Sequence, residues 1–188
     1  MYRSLGEGRY LPSEHTQGPW DPGAQHMGPV TALIVHELAT TAPRPGLEPA
    51  RLVVDVFAPV PLAELRVMTE AARDGKRVQC LTASVWSGER EYVRATAWRI
   101  RESATPATAV AGPPAPVPPR SGERAPSWLT SGFGYGRALD WRFVTGGPTE
   151  IGPATVIGPS GRGLTRSTLY DETGELGTAT QTLFVAPR

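Results

Sequence analysis

The sequence predicts an α+β fold, with one long apolar helix enclosed by a curved antiparallel sheet and then a set of strands without a helix of its own. Three features carry that expectation. A single run, GPVTALIVHELATTA, has helical apolar periodicity. A series of β-branched runs follows it, separated by Asp-Gly and Ser-Gly turn signals. A proline-rich stretch then divides these runs from a remainder that again reads as strands.

The helix is expected from residue 28 to about residue 42. Pro29 suits its first turn, where the missing N–H costs no helical hydrogen bond, and APRPG stops it. Val30, Leu33, Ile34, Val35 and Leu38 cover most of the helical circumference, leaving His36, Glu37 and Thr40 as the polar side. A helix apolar over so wide an arc is expected to be surrounded by other structure. The runs RLVVDVFAPV, LAELRVMTEAAR, KRVQCLTASVW and REYVRATAWRIR then form a β-meander, with turns at Asp74-Gly75 and Ser87-Gly88. Alternation in the last run puts Tyr92, Arg94, Thr96 and Trp98 on one face and Val93, Ala95, Ala97 and Arg99 on the other.

From residue 103 the composition changes to SATPATAVAGPPAPVPPRSGERAP, where proline density forbids helix and ladder alike and a partly stiff linker is expected. The chain therefore divides into an N-terminal unit (residues 1–102), a Pro/Ala-rich linker (103–127) and a C-terminal unit (128–188). In the last, ALDWRFVTG reads as a strand, and GLTRSTLYDETGELGTATQTLFVAP as a hairpin turning at Glu172 to Glu175. GPTEIGPATVIGPSGR between them is turn chemistry, and no helix is expected after Glu102.

Composition narrows the function classes. The chain has 188 residues, 39% hydrophobic and 20% charged, which suits a globular protein with a sizeable core. Its 19 basic and 18 acidic side chains nearly cancel, and without a basic stripe neither nucleic acid nor an anionic membrane surface is an expected partner. Cys80, the only cysteine, permits no disulfide within the chain and reads as a buried inert thiol. The opening residues lack the apolar core of a signal peptide, and no run reaches membrane-spanning length, so a cytoplasmic location is expected. No cluster of metal-ligand type is visible, GPSGRG does not fit a phosphate-binding loop, and no cofactor is expected.

GPWDPGAQHMGPVTALIVHEL followed by the meander resembles the first half of the TesB-like, double hot-dog acyl-CoA thioesterases, in particular the actinobacterial type. IGPSGRGLTRSTLYDETGELGTATQTLFVAPR is similar to the last strands of the second half of those proteins. Trp20-Asp21 with Gln25-His26 ahead of the helix, Asp74-Gly75-Lys76-Arg77 between strands, and Gln181 near the end carry the resemblance. It implies a hot-dog fold, with one complete unit and an incomplete second unit of strands. It also implies acyl-CoA or a related thioester as partner, and hydrolysis to free acid and CoA as the family activity. In that family an aspartate near the second helix and a Ser or Thr on a neighbouring strand act with a glutamine on the final strand to activate a water.

Gln181 matches the position of that glutamine, whereas the stretch that would carry the helix, aspartate and hydroxyl is missing, with a junction near residues 154–157. Activity is therefore expected to be weak or absent, because glutamine can hold a water but is not a base. A plain strand role for Gln181 remains the alternative, as does a non-catalytic acyl-CoA binding or assembly module for the chain. A second candidate group lies ahead of the helix: Asp21 as a possible base, with Gln25, His26 and Gly28 as substrate-binding positions where free amides meet an oxyanion. Capping or packing is the competing role for these residues, and Met27 stands where relatives often have glycine. His36 reads as a hydrogen-bonded residue at the polar seam; Asp140, Asp171 and Glu172 read as solvent-facing or turn carboxylates. A lone hot-dog sheet leaves an open edge, so a homo-oligomer is expected.

Overall fold

In the computed structural model the chain divides into two units, residues Met1–Ala104 with Ser127–Leu139, and residues Thr105–Pro126 with Asp140–Arg188. The structure describes residues 1–104, 123–124, 126–143, 155–157, 159, 162–171 and 174–184. Helix α1, Met27–Thr40, starts one residue earlier than expected and stops two earlier. Strands β1 (Tyr2–Gly6) and β2 (Arg9–Pro12) form a hairpin ahead of it. Then come β3 (Leu47–Val56), β4 (Leu65–Asp74), β5 (Val78–Ser87) and β6 (Arg90–Arg101). These pair antiparallel in the order β1-β2-β4-β5-β6-β3, which leaves β3 at one edge.

The α+β hot-dog arrangement is present in this unit: one long helix laid on the concave face of an antiparallel sheet. Val30, Leu33, Ile34 and Leu38 on α1 are buried against Leu65, Leu81, Val85 and Val93. Each such side chain contributes about 1.5–3 kcal/mol by leaving water. Val35 departs from expectation, since it is 44% exposed. It lies with Ala32, His36, Ala39 and Thr40 on the solvent side of α1, so the helix is packed on one face rather than surrounded. Glu37, placed on the polar side by the sequence, is half-buried and accepts a hydrogen bond from the Tyr10 hydroxyl. That bond and burial push the Tyr10 pKa up to about 12.

The carboxyl end of α1 is tied to the sheet by Arg99, a buried charged residue on the apolar face of β6. Its guanidinium is nearly buried and donates to the Leu38 and Thr41 carbonyls and to Gln79 Oε1. Gln79, fully buried, donates in turn to the Ala42 carbonyl and to Asp74 Oδ1. Arg44 closes the network with a bidentate pair to Asp74, at 2.7 and 2.5 Å. The carbonyls at a helix C-terminus have no partners within the helix, and the dipole there favours a cation.

Two short helices overturn the expectation that no helix follows Glu102. Helix α2 spans Ser127–Ser131 and α3 spans Gly134–Arg137, and both belong to the first unit. Elements of four or five residues carry no readable periodicity; Leu129 and Phe133, both buried, supply the packing that holds them.

Among the described residues the second unit contains strands only. Short strands β7 (Glu123–Arg124) and β8 (Arg142–Phe143) pair with each other. Strands β9 (Thr155–Ile157), β10 (Arg162–Asp171) and β11 (Gly174–Phe184) form an antiparallel sheet in the order β11-β10-β9. The β10–β11 hairpin is where the sequence puts it. The residues of β9 were expected to be turn; they pair instead with Gly163, Leu164 and Thr165 of β10. Most of the proline-rich segment, and Glu172, fall outside the described residues.

Candidate functional site

The loop from Gln17 to His26 doubles back on itself before α1. Isolated bridges join Gln17 to Gln25 and Ala24 to Pro61, and the Gln25 amide donates to the Val60 carbonyl at 2.8 Å. Asp21, Gln25 and His26 sit on this frame, each with a defined task.

Asp21 is exposed, and its Oδ1 accepts from the Gly23 amide at 2.8 Å while its carbonyl accepts from Ala24. Aspartate closing a turn on a backbone amide two residues on is a local structural use of the carboxylate. Gln25 is buried. It accepts from the Tyr2 hydroxyl at 2.6 Å and donates to the Pro61 carbonyl at 2.7 Å, so its amide pins the β1 hairpin and the residue-61 loop to the start of α1. Burial raises the Tyr2 pKa and keeps that phenol a donor.

His26 is the N-cap of α1. Its Nδ1 accepts from the Gly28 amide at 3.0 Å, and its own amide donates to the Thr16 carbonyl at 2.7 Å. An Nδ1 that accepts carries no proton, so the neutral ring holds its proton on Nε2. Burial lowers the His26 pKa, which favours that neutral form. The ring lies between two others: Trp20 at 5.8 Å and 16°, and Tyr135 at 4.5 Å and 23°. Trp20 is 73% exposed, so the stack is open on its side.

Tyr135 was not singled out by the sequence. It comes from α3, and its amide donates to the Gln17 carbonyl at 3.0 Å. Its hydroxyl lies over Gly28 so closely that a Cβ there would stand 2.7 Å from it, which explains why this position has no side chain. Gly134 is tighter still, since a Cβ would be 1.7 Å from the Glu14 carbonyl oxygen. The signal in the sequence is the glycine alternation in SGFGYGR, which reads as an ordinary loop until its packing is seen.

The amino end of α1 is thus poorer in donors than expected. Of the first three amides, that of Gly28 is taken by His26 and Pro29 has none, leaving Met27. Gln25, His26 and Gly28 are brought together there, while Asp21 is engaged in its own turn.

Gln181 lies in the second unit. It is exposed on β11, directly across from Thr165 on β10, which in turn faces Thr155 on β9. Cross-strand partners share a face. The two threonine hydroxyls are 3.0 Å apart, so Gln181 shares its face with a hydroxyl row that the sequence reading did not single out. Asp171 ends β10 and is half-buried, and Asp140 is exposed just after α3. His36 is exposed on α1 rather than lodged at a seam, and Cys80 is half-buried rather than fully enclosed.

Residues 16–100 match the family model of the acyl-CoA thioesterase N-terminal domain. That likeness to the thioesterase family covers a little under half of the chain. The match takes in the Gln17–His26 loop, all of α1 and nearly all of β3 to β6, and ends before α2 and α3. Among solved structures, a chain from Thermobifida fusca YX described as a candidate thioesterase II is similar over 100% of this chain and 96% of its own, with a TM-score of 0.65 and 13% identity. A conserved hot-dog protein of unknown function from Alicyclobacillus acidocaldarius is similar over 87% of this chain and 59% of its own, with a TM-score of 0.61 and 16% identity. At such identities the likeness establishes the hot-dog fold. No curated protein is a significant match. Among the described residues no helix is long and apolar enough to cross a membrane.

Proposed function

We propose that this chain is an acyl-CoA-handling protein of the TesB-like, actinobacterial thioesterase type whose hydrolytic activity is weak or absent. The observation that carries the reading is the commitment of its polar groups. Hydrolysis of a thioester needs a base for the attacking water and donors for the oxyanion, and a placed base is worth about 10²–10⁴ in rate. Asp21 closes a turn, the Nδ1 lone pair of His26 caps a helix, and Gln181 is an amide across from a threonine. The Gln181–Thr165 face can hold a water by hydrogen bonds, but neither group takes its proton.

The shortened second unit, set off by the proline-rich linker, supports the same reading, because the family places its aspartate and hydroxyl in the stretch missing there. Binding of acyl-CoA without turnover is the second reading, favoured by the intact first unit. A cytoplasmic location and a homo-oligomeric state complete the proposal. Hydrolysis assays with acetyl-CoA and palmitoyl-CoA, following free CoA, are expected to show turnover close to background. Robust turnover that Gln181→Ala abolishes would refute the inactive reading and restore Gln181 as a working catalytic residue.

A further inference from the structure

We propose that Tyr135 is an internal plug, carried on the α2–α3 segment, that holds the amino end of α1 closed. The first unit has its helix and sheet complete by Arg101, yet residues Ser127–Leu139 are packed into it from much further along the chain. Three independent contacts aim that segment at one place. The Tyr135 ring covers one face of His26 at 4.5 Å. Its hydroxyl occupies the space over Gly28 that a Cβ would need. The Gly134 amide donates to Gln17 Oε1 at 3.3 Å and the Tyr135 amide to the Gln17 carbonyl, which fixes the ring against the loop. Leu129 and Phe133 anchor the segment from behind, and Arg137 reaches Glu14 at 3.7 Å. The lowered pKa of His26, caused by burial, agrees with a covered ring.

The consequence concerns access. Any carbonyl approaching the Met27 amide or the His26 ring from the Gly28 side meets the phenol first. The contact is therefore autoinhibitory toward the Gly28 side of that helix end, and this side opens when Tyr135 leaves. The closure stands on geometry alone; that the excluded ligand is an acyl thioester rests on the reading under Proposed function.

The test is built to separate the two. Relaxation of imidazole ring protons by a soluble neutral gadolinium chelate reports solvent access, and His15 and His36, both exposed, serve as internal references. In the native protein His26 is expected to relax far less than either. Tyr135→Ala is expected to raise His26 toward them. Gly28→Ala, whose Cβ would stand 2.7 Å from the phenol oxygen and 3.1 Å from His26 Nδ1 and which raises helix propensity, is expected to force the two rings apart and do the same should the first variant fold poorly. Native His26 relaxing as fast as His15 would overturn the plug, as would continued protection in both folded variants. Acetyl-CoA added to the opened variants then reads the ligand. Saturable shifts of His26 signals, absent from the native protein, support both proposals. Opening without such shifts supports the plug and counts against an acyl thioester at this end of the helix.

Discussion

Arg99 shows how one residue against the local pattern can reveal a tertiary requirement. Alternation in β6 puts it beside Val93 and Ala95 on the core face, where a guanidinium would ordinarily be costly. The cost is offset because α1 ends above it, and its fork reaches the Leu38 and Thr41 carbonyls at that end and the Gln79 amide oxygen. Hydrogen bonds from a charged donor contribute about 1.5–3 kcal/mol, and removing one partner strands the others. Arg99→Met is expected to lower unfolding stability by about 3 kcal/mol in urea titration. Arg99→Lys keeps the charge but loses the fork, so it should recover only part of that loss. A loss under about 0.5 kcal/mol for Arg99→Met would mean that water already serves those carbonyls.

The α2–α3 segment is an element whose stability comes from docking rather than from its own helical propensity. A five-residue and a four-residue helix cannot persist alone, so Leu129 and Phe133 must hold them. Phe133→Ala removes the larger anchor, and truncating a buried Phe costs about 3–5 kcal/mol. The loss should fall on residues 127–139, appearing as selective loss of amide exchange protection there while β5 and β6 stay protected. Uniform loss across both would show the segment to be part of the global folding unit. The same physics explains what the sequence disclosed. Strands β4, β5 and β6 were legible because each is a run of ten or more residues bounded by Asp-Gly or Ser-Gly. The β1–β2 hairpin was not, since YRSLG and RYLP are short and lack β-branched residues. Strand β9 was hidden by flanking glycine and proline and exists through its pairing with β10. At the candidate site Gln25, His26 and Gly28 could be named from their place before a helix. Tyr135, lying 109 positions beyond His26, could not.

At the scale of the molecule, the β3 edge of the six-stranded sheet is where two copies of the chain are expected to meet. Strand β3 is ten residues long and, among the described residues, paired on one side only, by β6. Val53 and Val56 are 43% and 49% exposed along it, and Val35 on α1 is 44% exposed. Such an edge invites pairing unless something blocks it. The sequence around Val53 is self-complementary: with two copies antiparallel about a two-fold axis at Val53, Arg51 of each lies opposite Asp55 of the other. Opposite charges facing across strands favour pairing by about 0.2–1 kcal/mol, and like charges oppose it by similar amounts. A homodimer joined along β3 is therefore the expected assembly, with two such pairs formed at once by symmetry. Asp55→Arg sets arginine against arginine twice and should raise the dimer dissociation constant about tenfold or more. The double change Arg51→Asp with Asp55→Arg restores complementarity in reversed order and should recover the dimer. Light scattering across a dilution series reads both effects. A native chain that is monomeric at every concentration, or a double variant as weak as the single one, would show that this edge does not join two copies.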